Sequence, residues 1–265
     1  MPRKRLGQHF LVDQQVAARI VAAAEIMSGD VVLEVGPGHG ALSELLALKA
    51  TSLILIEIDN KLASSLVVRY SSNPGVAVLS GDAREFTPDW VPDLRDREYK
   101  FVANLPYYAA SPIVRRFLET TVRPSLMVVT VQREVADEMS AAPGHMSILS
   151  VAVQLYAEVA HVISVPPNSF RPPPRVDSAV VSLRVRPRPA LKLDSITSFF
   201  ELVRAGFSAP RKQLRNSLAR GLSIEASAAA SILQMAGIAP SRRAATLSIE
   251  EWGDLYRVKS EGPRG

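Results

Sequence analysis

Short apolar runs alternate with helical patterns from about residue 30 onward. Between the runs, apolar residues recur at the three- and four-residue spacing of amphipathic helices, and Pro112 stands where a further helix can begin. Strands that alternate with helices predict a parallel sheet covered by helices. The runs that predict strands are VVLEVG (31–36), LILIEID (53–59), VAVLSGDA (76–83), KFVANLPY (100–107) and SLMVVTVQ (125–132).

Two later apolar runs complete the predicted sheet. AHVISVPP (160–167) and SAVVSLRVRP (178–187) are joined by the proline-rich FRPPPR, with no helical pattern between them. Such a pair predicts a hairpin, so we expect a mostly parallel, seven-stranded α/β sheet that ends with one antiparallel strand. Beyond the linker RPRPALKLD the strand pattern stops and four short helical patterns follow. We therefore predict an α/β domain over residues 1–187 and a small all-helical domain over residues 188–265.

Composition limits the classes of function. The chain has 265 residues, of which 47% are hydrophobic and 22% charged, and its net charge of +5 suits an anionic partner such as a nucleic acid. The absence of cysteine excludes disulfides, thiolate catalysis and thiolate zinc sites. The four histidines are scattered, so we predict no metal site. No secretory signal or membrane-spanning run is present, which predicts a cytoplasmic protein.

A glycine turn follows the first predicted strand. Gly36, Gly38 and Gly40 lack Cβ atoms, so the backbone can turn sharply and approach a ligand closely. Glu57 ends the next strand, 21 positions after Gly36, which is the spacing at which a carboxylate accepts hydrogen bonds from ribose hydroxyls. Asp82 ends the third strand and suits an adenine edge. Together they predict an adenosine pocket, although the same spacing fits a nicotinamide dinucleotide and leaves hydride and methyl transfer open.

The stretch NLPY ends the fourth predicted strand with groups that suit an exocyclic amine. The amide oxygen of Asn104 can accept one hydrogen of the amine, and the carbonyl of Leu105 can accept the second. Pro106 fixes the turn and has no N–H of its own. Tyr107 offers a ring on which a flipped base can stack. Because the lone pair of an adenine amine is delocalised into the ring, two acceptors that favour a pyramidal nitrogen would activate it toward an electrophilic methyl.

Several of these motifs resemble one known family. They occur in the family's order from about Arg3 to Arg257, and the chain resembles the ribosomal RNA adenine dimethyltransferases, most of all the bacterial group that dimethylates two adjacent adenosines near the end of small-subunit ribosomal RNA. The resemblance implies a class I methyltransferase fold that uses S-adenosylmethionine. The motifs are RKRLGQHFLVD, LEVGPGHG, IEID, GDA, NLPY…SP, VPPNSFRPPPRVDSAVVSL and RKQLRNSL.

The resemblance also implies roles for individual residues. Tyr107 and Phe170 would sandwich the target adenine, with Asn104 and the Leu105 carbonyl on its amine, so the predicted catalytic set is Asn104, Leu105, Pro106, Tyr107 and Phe170. Its predicted cofactor-binding residues are His9, Leu11, Gly36, Gly38, Glu57, Asp82, Ala83 and Asn104.

Two positions depart from the family pattern. His9 stands where many members have asparagine, which affects its side-chain contact to the cofactor more than its backbone contact. Tyr108 stands where asparagine usually follows the motif tyrosine, and it would reshape the rim of the pocket.

Basic residues supply the predicted RNA contacts. One group is an N-terminal arm, a second follows the NLPY motif, and a third is expected on about one turn of a helix whose Leu214 and Leu218 face the core. The helical domain is accordingly predicted to bind RNA, and the whole protein to act on the small ribosomal subunit as a monomer without membrane or metal. The basic residues concerned are Arg3, Lys4, Arg5, Arg115, Arg116, Arg211, Lys212 and Arg215.

Three alternatives to a small-subunit methyltransferase remain open from the sequence. The large-subunit methyltransferases of macrolide resistance share the motifs, although RKQLRNSL and PPPRVDS resemble the small-subunit group more. A ribosome-assembly or mitochondrial-type transcription factor could keep the fold without catalysis, which intact Glu57, Asp82, Asn104 and Tyr107 disfavour. A nicotinamide dehydrogenase would need a proton-transfer residue beside Asn104, and the sequence offers none there.

Overall fold

The computed structural model describes residues 8–261, and these residues divide into two units. The first runs to Asp137 and continues over Ala157–Pro187; the second comprises Glu138–Tyr156 and continues from Arg188. The sequence pattern predicted residues 138–156 in the first domain. They pack with the second unit because Gly144 and Met146 donate backbone hydrogen bonds to the carbonyl of Ala245, and Leu155 accepts one from Ala190.

Seven strands form the main sheet of the first unit, in the order β4-β3-β2-β5-β6-β9-β7. All run parallel except β9, which is antiparallel to both of its neighbours. The predicted sheet class is therefore confirmed. The antiparallel strand, however, lies between β6 and β7 rather than at the end of the sheet, because the second strand of the hairpin inserts beside β6. The strands are β1 Phe10–Leu11, β2 Val31–Val35, β3 Ser52–Glu57, β4 Val76–Ser80, β5 Tyr99–Asn104, β6 Leu126–Gln132, β7 Ala157–Val165, β8 Phe170–Arg171 and β9 Ser178–Val185.

Helices cover both faces of this sheet. Alternate strand residues such as Val32 and Val102 belong to one buried apolar cluster with residues of α1, α2 and α3. On the other face Phe101 packs against Phe117 of α5, with ring centroids 4.7 Å apart. The helices are α1 Gln14–Ala23, α2 Ser43–Ala47, α3 Asn60–Arg69, α4 Pro92–Arg95, α5 Ala110–Glu119, α6 Arg133–Met139, α7 Ile148–Gln154, α8 Ile196–Gly206, α9 Leu214–Leu222, α10 Ala226–Met235 and α11 Ile249–Glu261.

Helix α1 was not predicted, although the sequence carries its signal. The side chain of Asp13 accepts hydrogen bonds from the backbone N–H groups of Gln15 and Val16, which caps the first turn. Val16 and Ile20 then face the core at helical spacing. Helix α5 begins at Ala110, so Pro112 lies inside its first turn rather than at its first position.

The second unit is helical. Its core contains Phe199, Leu218, Leu233 and Trp252, which come from four different helices and are all nearly inaccessible to solvent. Among residues 8–261, no helix combines the length and the apolar character that crossing a bilayer requires.

Candidate active site

A short ribbon of two strands fixes Phe10 and Leu11 beside the carboxyl ends of the sheet strands. Strands β1 and β8 pair antiparallel, so Phe10 faces Arg171 and Leu11 faces Phe170. The Val12 N–H donates to the Ser169 carbonyl at 2.9 Å, which extends the pairing by one residue. His9 lies next to this ribbon, and its ring Nδ1–H donates to the Pro172 carbonyl at 2.6 Å. Residues 9–12 therefore lie in a defined position against the loop that carries Phe170.

The glycine turn after β2 exposes backbone that other residues would hide. Gly36 and Gly38 have φ angles of +70° and +57°, in the left-handed region that glycine occupies without strain. A Cβ atom at Gly38 would lie 2.9 Å from Cδ1 of Phe10. The Gly38 N–H donates to Oε2 of Glu57 at 3.0 Å. This turn therefore needs glycine both for its backbone angles and for its approach to the Phe10 ring.

Glu57 ends β3 and Asp82 lies two residues beyond the end of β4, but their surroundings differ. Glu57 is only 2% exposed, and its Oε1 accepts a hydrogen bond from the Asp59 N–H at 2.9 Å. The carboxylate of Asp82 accepts two hydrogen bonds from Nε of Arg84, both at 3.0 Å. These hydrogen bonds from Arg84 hold the pKa of Asp82 below its usual value. Asp82, the predicted adenine contact, is thus already paired with Arg84.

Asn104 is held with its amide in one orientation. Its Nδ2 donates to the His9 carbonyl at 3.1 Å, and only the NH₂ end of an amide can donate to a carbonyl. Its Oδ1 is therefore the end left to accept hydrogens from a ligand. Leu105, which follows, is anchored by its N–H to the Thr130 carbonyl. No residue of 8–261 donates a hydrogen bond to the Leu105 carbonyl oxygen.

The side chains around Asn104 line a cleft of about 570 Å³ that is open to solvent. Tyr107 lies in it with its ring stacked on the His9 ring, at a centroid separation of 5.4 Å. Phe170 lines the same cleft although it is only 1% exposed and belongs to the apolar core. Tyr108 is 53% exposed and lies at the rim. The structure thus brings together the glycine turn, Glu57, Asn104, Tyr107 and Phe170.

The remaining predicted cofactor residues line adjoining cavities. Leu11 contributes to a cavity beside the glycine turn, together with His39 and Asn104. Asp82 and Ala83 line a cavity that also includes Tyr108 and Arg84. Both cavities share Gly36 with the main cleft.

Three residues of this region were not predicted from the sequence. Arg84 donates hydrogen bonds to Asp82, and the Ser178 hydroxyl forms a hydrogen bond of 2.6 Å with the Tyr107 hydroxyl. Glu34 is 1% exposed behind the glycine turn, and burial raises its pKa to about 8; nearby Glu57 adds to that increase, while Ser43 opposes it. Neither Oε2 of Glu34 nor the Ser43 hydroxyl makes a hydrogen bond of good geometry among the described residues. The apolar pattern VVLEV carried the signal for Glu34, since it places a charge inside a buried strand.

The predicted RNA-contact residues differ in how far they are engaged by other residues of the chain. Arg3, Lys4 and Arg5 lie outside the described residues. Arg115 pairs with Glu119 at 2.6 Å, and Arg116 donates to the Phe86 carbonyl and the Thr87 hydroxyl.

The third basic group is exposed, but it does not lie on one helical turn. Helix α9 begins at Leu214, so Arg211 and Lys212 belong to the turn before it and only Arg215 lies on the helix. Leu214 and Leu218 face the core as predicted. No group of three or more histidine, aspartate or glutamate side chains that could hold a metal occurs within residues 8–261.

Sequence comparison relates the chain to ribosomal RNA methyltransferases over nearly its whole length. The family model described as "Ribosomal RNA adenine dimethylase" matches residues 2–261. A protein of Dehalococcoides mccartyi named "Ribosomal RNA small subunit methyltransferase A" is 42% identical over 98% of this chain and 89% of the relative. A protein of the same name from Moorella thermoacetica is 41% identical over 97% of this chain and 92% of the relative.

Structural comparison points the same way. The crystal structure of the 23S rRNA methyltransferase ErmE matches with a TM-score of 0.73 and 30% identity, over 94% of this chain and 98% of that protein. A dimethyladenosine transferase from Plasmodium falciparum matches with a TM-score of 0.79 and 26% identity, over 93% of this chain and 96% of that protein.

Proposed function

The chain belongs to the ribosomal RNA adenine dimethylase family, as its motifs predicted, and we propose that it transfers methyl groups from S-adenosylmethionine to the N6 amines of two adjacent adenosines near the 3′ end of 16S ribosomal RNA. The products are N6,N6-dimethyladenosines in the small subunit, formed during ribosome biogenesis. The relatives that share about two-fifths of its residues carry the small-subunit name, which favours this substrate over the large subunit.

The observation that carries the proposal is the orientation of Asn104. Because Nδ2 is committed to the His9 carbonyl, Oδ1 is available for one hydrogen of the target amine. The Leu105 carbonyl, which no described residue occupies, is the second acceptor, and Pro106 brings no competing N–H. Two acceptors on the amine hydrogens localise the nitrogen lone pair. Positioning and electrostatics supply the rate, and no strong base is needed because the nitrogen becomes acidic once it is methylated.

The cleft fits an adenosyl cofactor. S-adenosylmethionine, when bound, supplies an electrophilic methyl on a sulfonium. Gly36 and Gly38 let the backbone approach the ligand, and Glu57 keeps carboxylate lone pairs for the ribose hydroxyls. Asp82 and the backbone of Ala83 would bind the adenine, and His9 and Leu11 would also contact the cofactor. Tyr107 and Phe170 form the proposed stacking pair for the target base.

The two predicted domains divide the work in this proposal. Residues 1–187 bind the cofactor and carry the chemistry, and residues 188–265 bind RNA through the exposed Arg211, Lys212 and Arg215. Arg115, Arg116 and the basic residues Arg3, Lys4 and Arg5 are proposed to make further RNA contacts. Because the whole proposed site comes from one chain, we propose that the protein acts as a monomer. We also propose that it acts in the cytoplasm and without a metal ion.

Transfer of labelled methyl groups to isolated subunits tests this function. We expect small subunits from a strain that lacks the dimethyl mark to take up label on the amines of two neighbouring adenines. Small subunits that already carry the mark are the control and should take up none. The 30% identity to a large-subunit enzyme makes the large subunit the second candidate substrate. Label that maps to a large-subunit adenine would replace the small-subunit assignment.

Removal of Arg84 is expected to tighten cofactor binding. In Arg84→Ala the Asp82 carboxylate no longer has to exchange an ion pair for the adenine amine. Exposed ion pairs contribute little, so the dissociation constant should fall by up to about fivefold. Calorimetric titration with S-adenosylmethionine measures the change. Arg95→Ala, which removes a similarly exposed pair with Asp96, is the matched control and should bind unchanged. Weaker binding in Arg84→Ala would instead place Arg84 itself on the cofactor.

A further inference from the structure

The hydroxyl of Tyr107 is held by a residue that lies much further along the chain. Its phenol oxygen lies 2.6 Å from the Ser178 hydroxyl, a hydrogen bond that joins positions 71 residues apart. This hydrogen bond spans the width of one strand. Tyr107 follows β5 and Ser178 begins β9, and β6 lies between those two strands. Strand β9 runs antiparallel to β6, so its first residue lies at the same edge of the sheet as the end of β5. The inserted antiparallel strand therefore delivers a buried hydroxyl to the side chain of Tyr107, which lines the cleft.

Ser178 is a rigid anchor for this bond. Its residue is completely buried, and its backbone is paired on both sides, with Gln132 of β6 and Val165 of β7. A hydroxyl on a doubly paired strand residue moves far less than one on a loop. Tyr107, in contrast, lies in the turn between β5 and α5 and is only partly buried. Its ring orientation therefore depends on what its edges and faces contact.

The face of the ring has a second support. The His9 ring is stacked on it with an interplanar angle of 28°. His9 is in turn fixed by its own bond to the Pro172 carbonyl and by the bond that Asn104 makes to its backbone. Contact on one face restricts tilting, but it leaves the ring free to slide and to turn in its own plane. The hydroxyl bond to Ser178 removes that freedom.

We propose that Ser178 is a positioning residue of the methyl-transfer reaction: through the Tyr107 hydroxyl it fixes the in-plane position of the ring on which the target adenine stacks beside Asn104. This inference rests on the proposed function. The lone pair of the amine nitrogen would have to point at the electrophilic methyl that the cofactor supplies, and its direction follows the position of the stacked base. An error of about 1 Å in such an alignment costs up to about 100-fold in rate. Ser178 touches neither base nor cofactor in this proposal and acts only through Tyr107.

Three variants test the coupling: Ser178→Ala, Tyr107→Phe and the double variant. Each single change removes one side of the same neutral hydrogen bond and keeps the ring. We expect each to lower the single-turnover rate of methyl transfer on saturating small subunits by about 10-fold. The double variant should be no slower than either single variant, because the bond can be lost only once. The dissociation constants for cofactor and for subunits should stay within about twofold of the wild-type values.

Ser182→Ala is the matched control. Ser182 lies four positions along β9 on the same side of the strand, and it should give the wild-type rate. A merely structural role for Ser178 would lower the melting temperature and would multiply with Tyr107→Phe to about a 100-fold loss, which would overturn the proposal. Wild-type rates in both single variants would overturn it as well. Failure of the proposed function looks different, since wild-type protein itself would then label no small-subunit adenine.

Discussion

Replacing Asn104 with alanine is expected to reduce methyl transfer to small subunits by about 10³-fold, or about 4 kcal/mol of transition-state stabilisation. The variant loses the Oδ1 acceptor, whose orientation is set by the bond from Nδ2 to the His9 carbonyl. The Leu105 carbonyl remains, but one acceptor alone leaves the amine lone pair largely delocalised into the adenine ring. The loss should appear in the rate of the chemical step, measured as single-turnover transfer of labelled methyl.

Binding measurements separate this chemical role from a general defect. Asn104→Ala should bind small subunits as the wild-type protein does, because the exposed basic residues are unchanged. Asn73→Ala is the matched control: the Asn73 amide supports a surface turn through the Gly75 N–H, away from the cleft, and its removal should leave transfer unchanged. Cells that carry Asn104→Ala should lose the dimethyl mark. If such cells nevertheless assemble ribosomes normally, the biological role is that of a binding factor rather than of the enzyme.

Local patterns in the sequence were sufficient to predict most of the fold and several residues of the candidate site. The strand that ends in Asn104, the glycine turn and the carboxylates at the ends of β3 and β4 all follow from apolar runs and their terminating residues. These features depend on neighbours within a few positions. The insertion of β9 between β6 and β7 could not be predicted in this way, because either order of the hairpin strands satisfies the same pattern.

Contacts between distant residues escaped prediction for a related reason. The bond from Asn104 to His9 joins residues 95 positions apart, and the bond from His9 to Pro172 joins residues 163 positions apart. Both depend on the pairing of β1 with β8, two strands of only two residues each. Such short strands carry no periodic signal. Only the structure therefore explains how a histidine fits at a position where the resemblance predicts asparagine: the His9 ring stacks on Tyr107.

Glu34 illustrates the opposite case, a local signal whose meaning depends on burial. It is the one carboxylate in the otherwise apolar strand β2, and it lies at 1% exposure close enough to Glu57 to be repelled by it. Tyr70, which is partly buried, also experiences the charge of Glu34, and burial together with this interaction raises the pKa of the Tyr70 phenol. Among the described residues, no cation lowers the pKa of Glu34. The folded protein therefore holds Glu34 protonated at neutral pH.

Replacing Glu34 with glutamine is expected to change how stability depends on pH. Burial raises the pKa of Glu34 from 4.5 to about 8, so between these values the folded chain keeps a proton that the unfolded chain has released. The contribution of Glu34 to stability is thus fully present below about pH 4.5 and is lost as the pH rises through 8. Because a difference of one pH unit between the two pKa values corresponds to about 1.4 kcal/mol, the loss is at most about 5 kcal/mol. Glutamine does not titrate, so Glu34→Gln should gain stability relative to the wild type by several kcal/mol between about pH 5 and pH 8.5.

Urea unfolding of both proteins across this pH range measures the difference in free energy of unfolding, in which the contributions of other groups cancel. Glu44→Gln is the matched control, since Glu44 lies in the first turn of the neighbouring helix α2 but is largely exposed in its pair with Arg69. Its difference from the wild type should vary by less than about 1 kcal/mol over the same range. A pH-independent difference for Glu34→Gln would mean that the carboxyl is ionised in the folded state, and some group in the turn must then compensate its charge. A difference that grows with pH would instead establish that the glycine turn is built over a neutral acid.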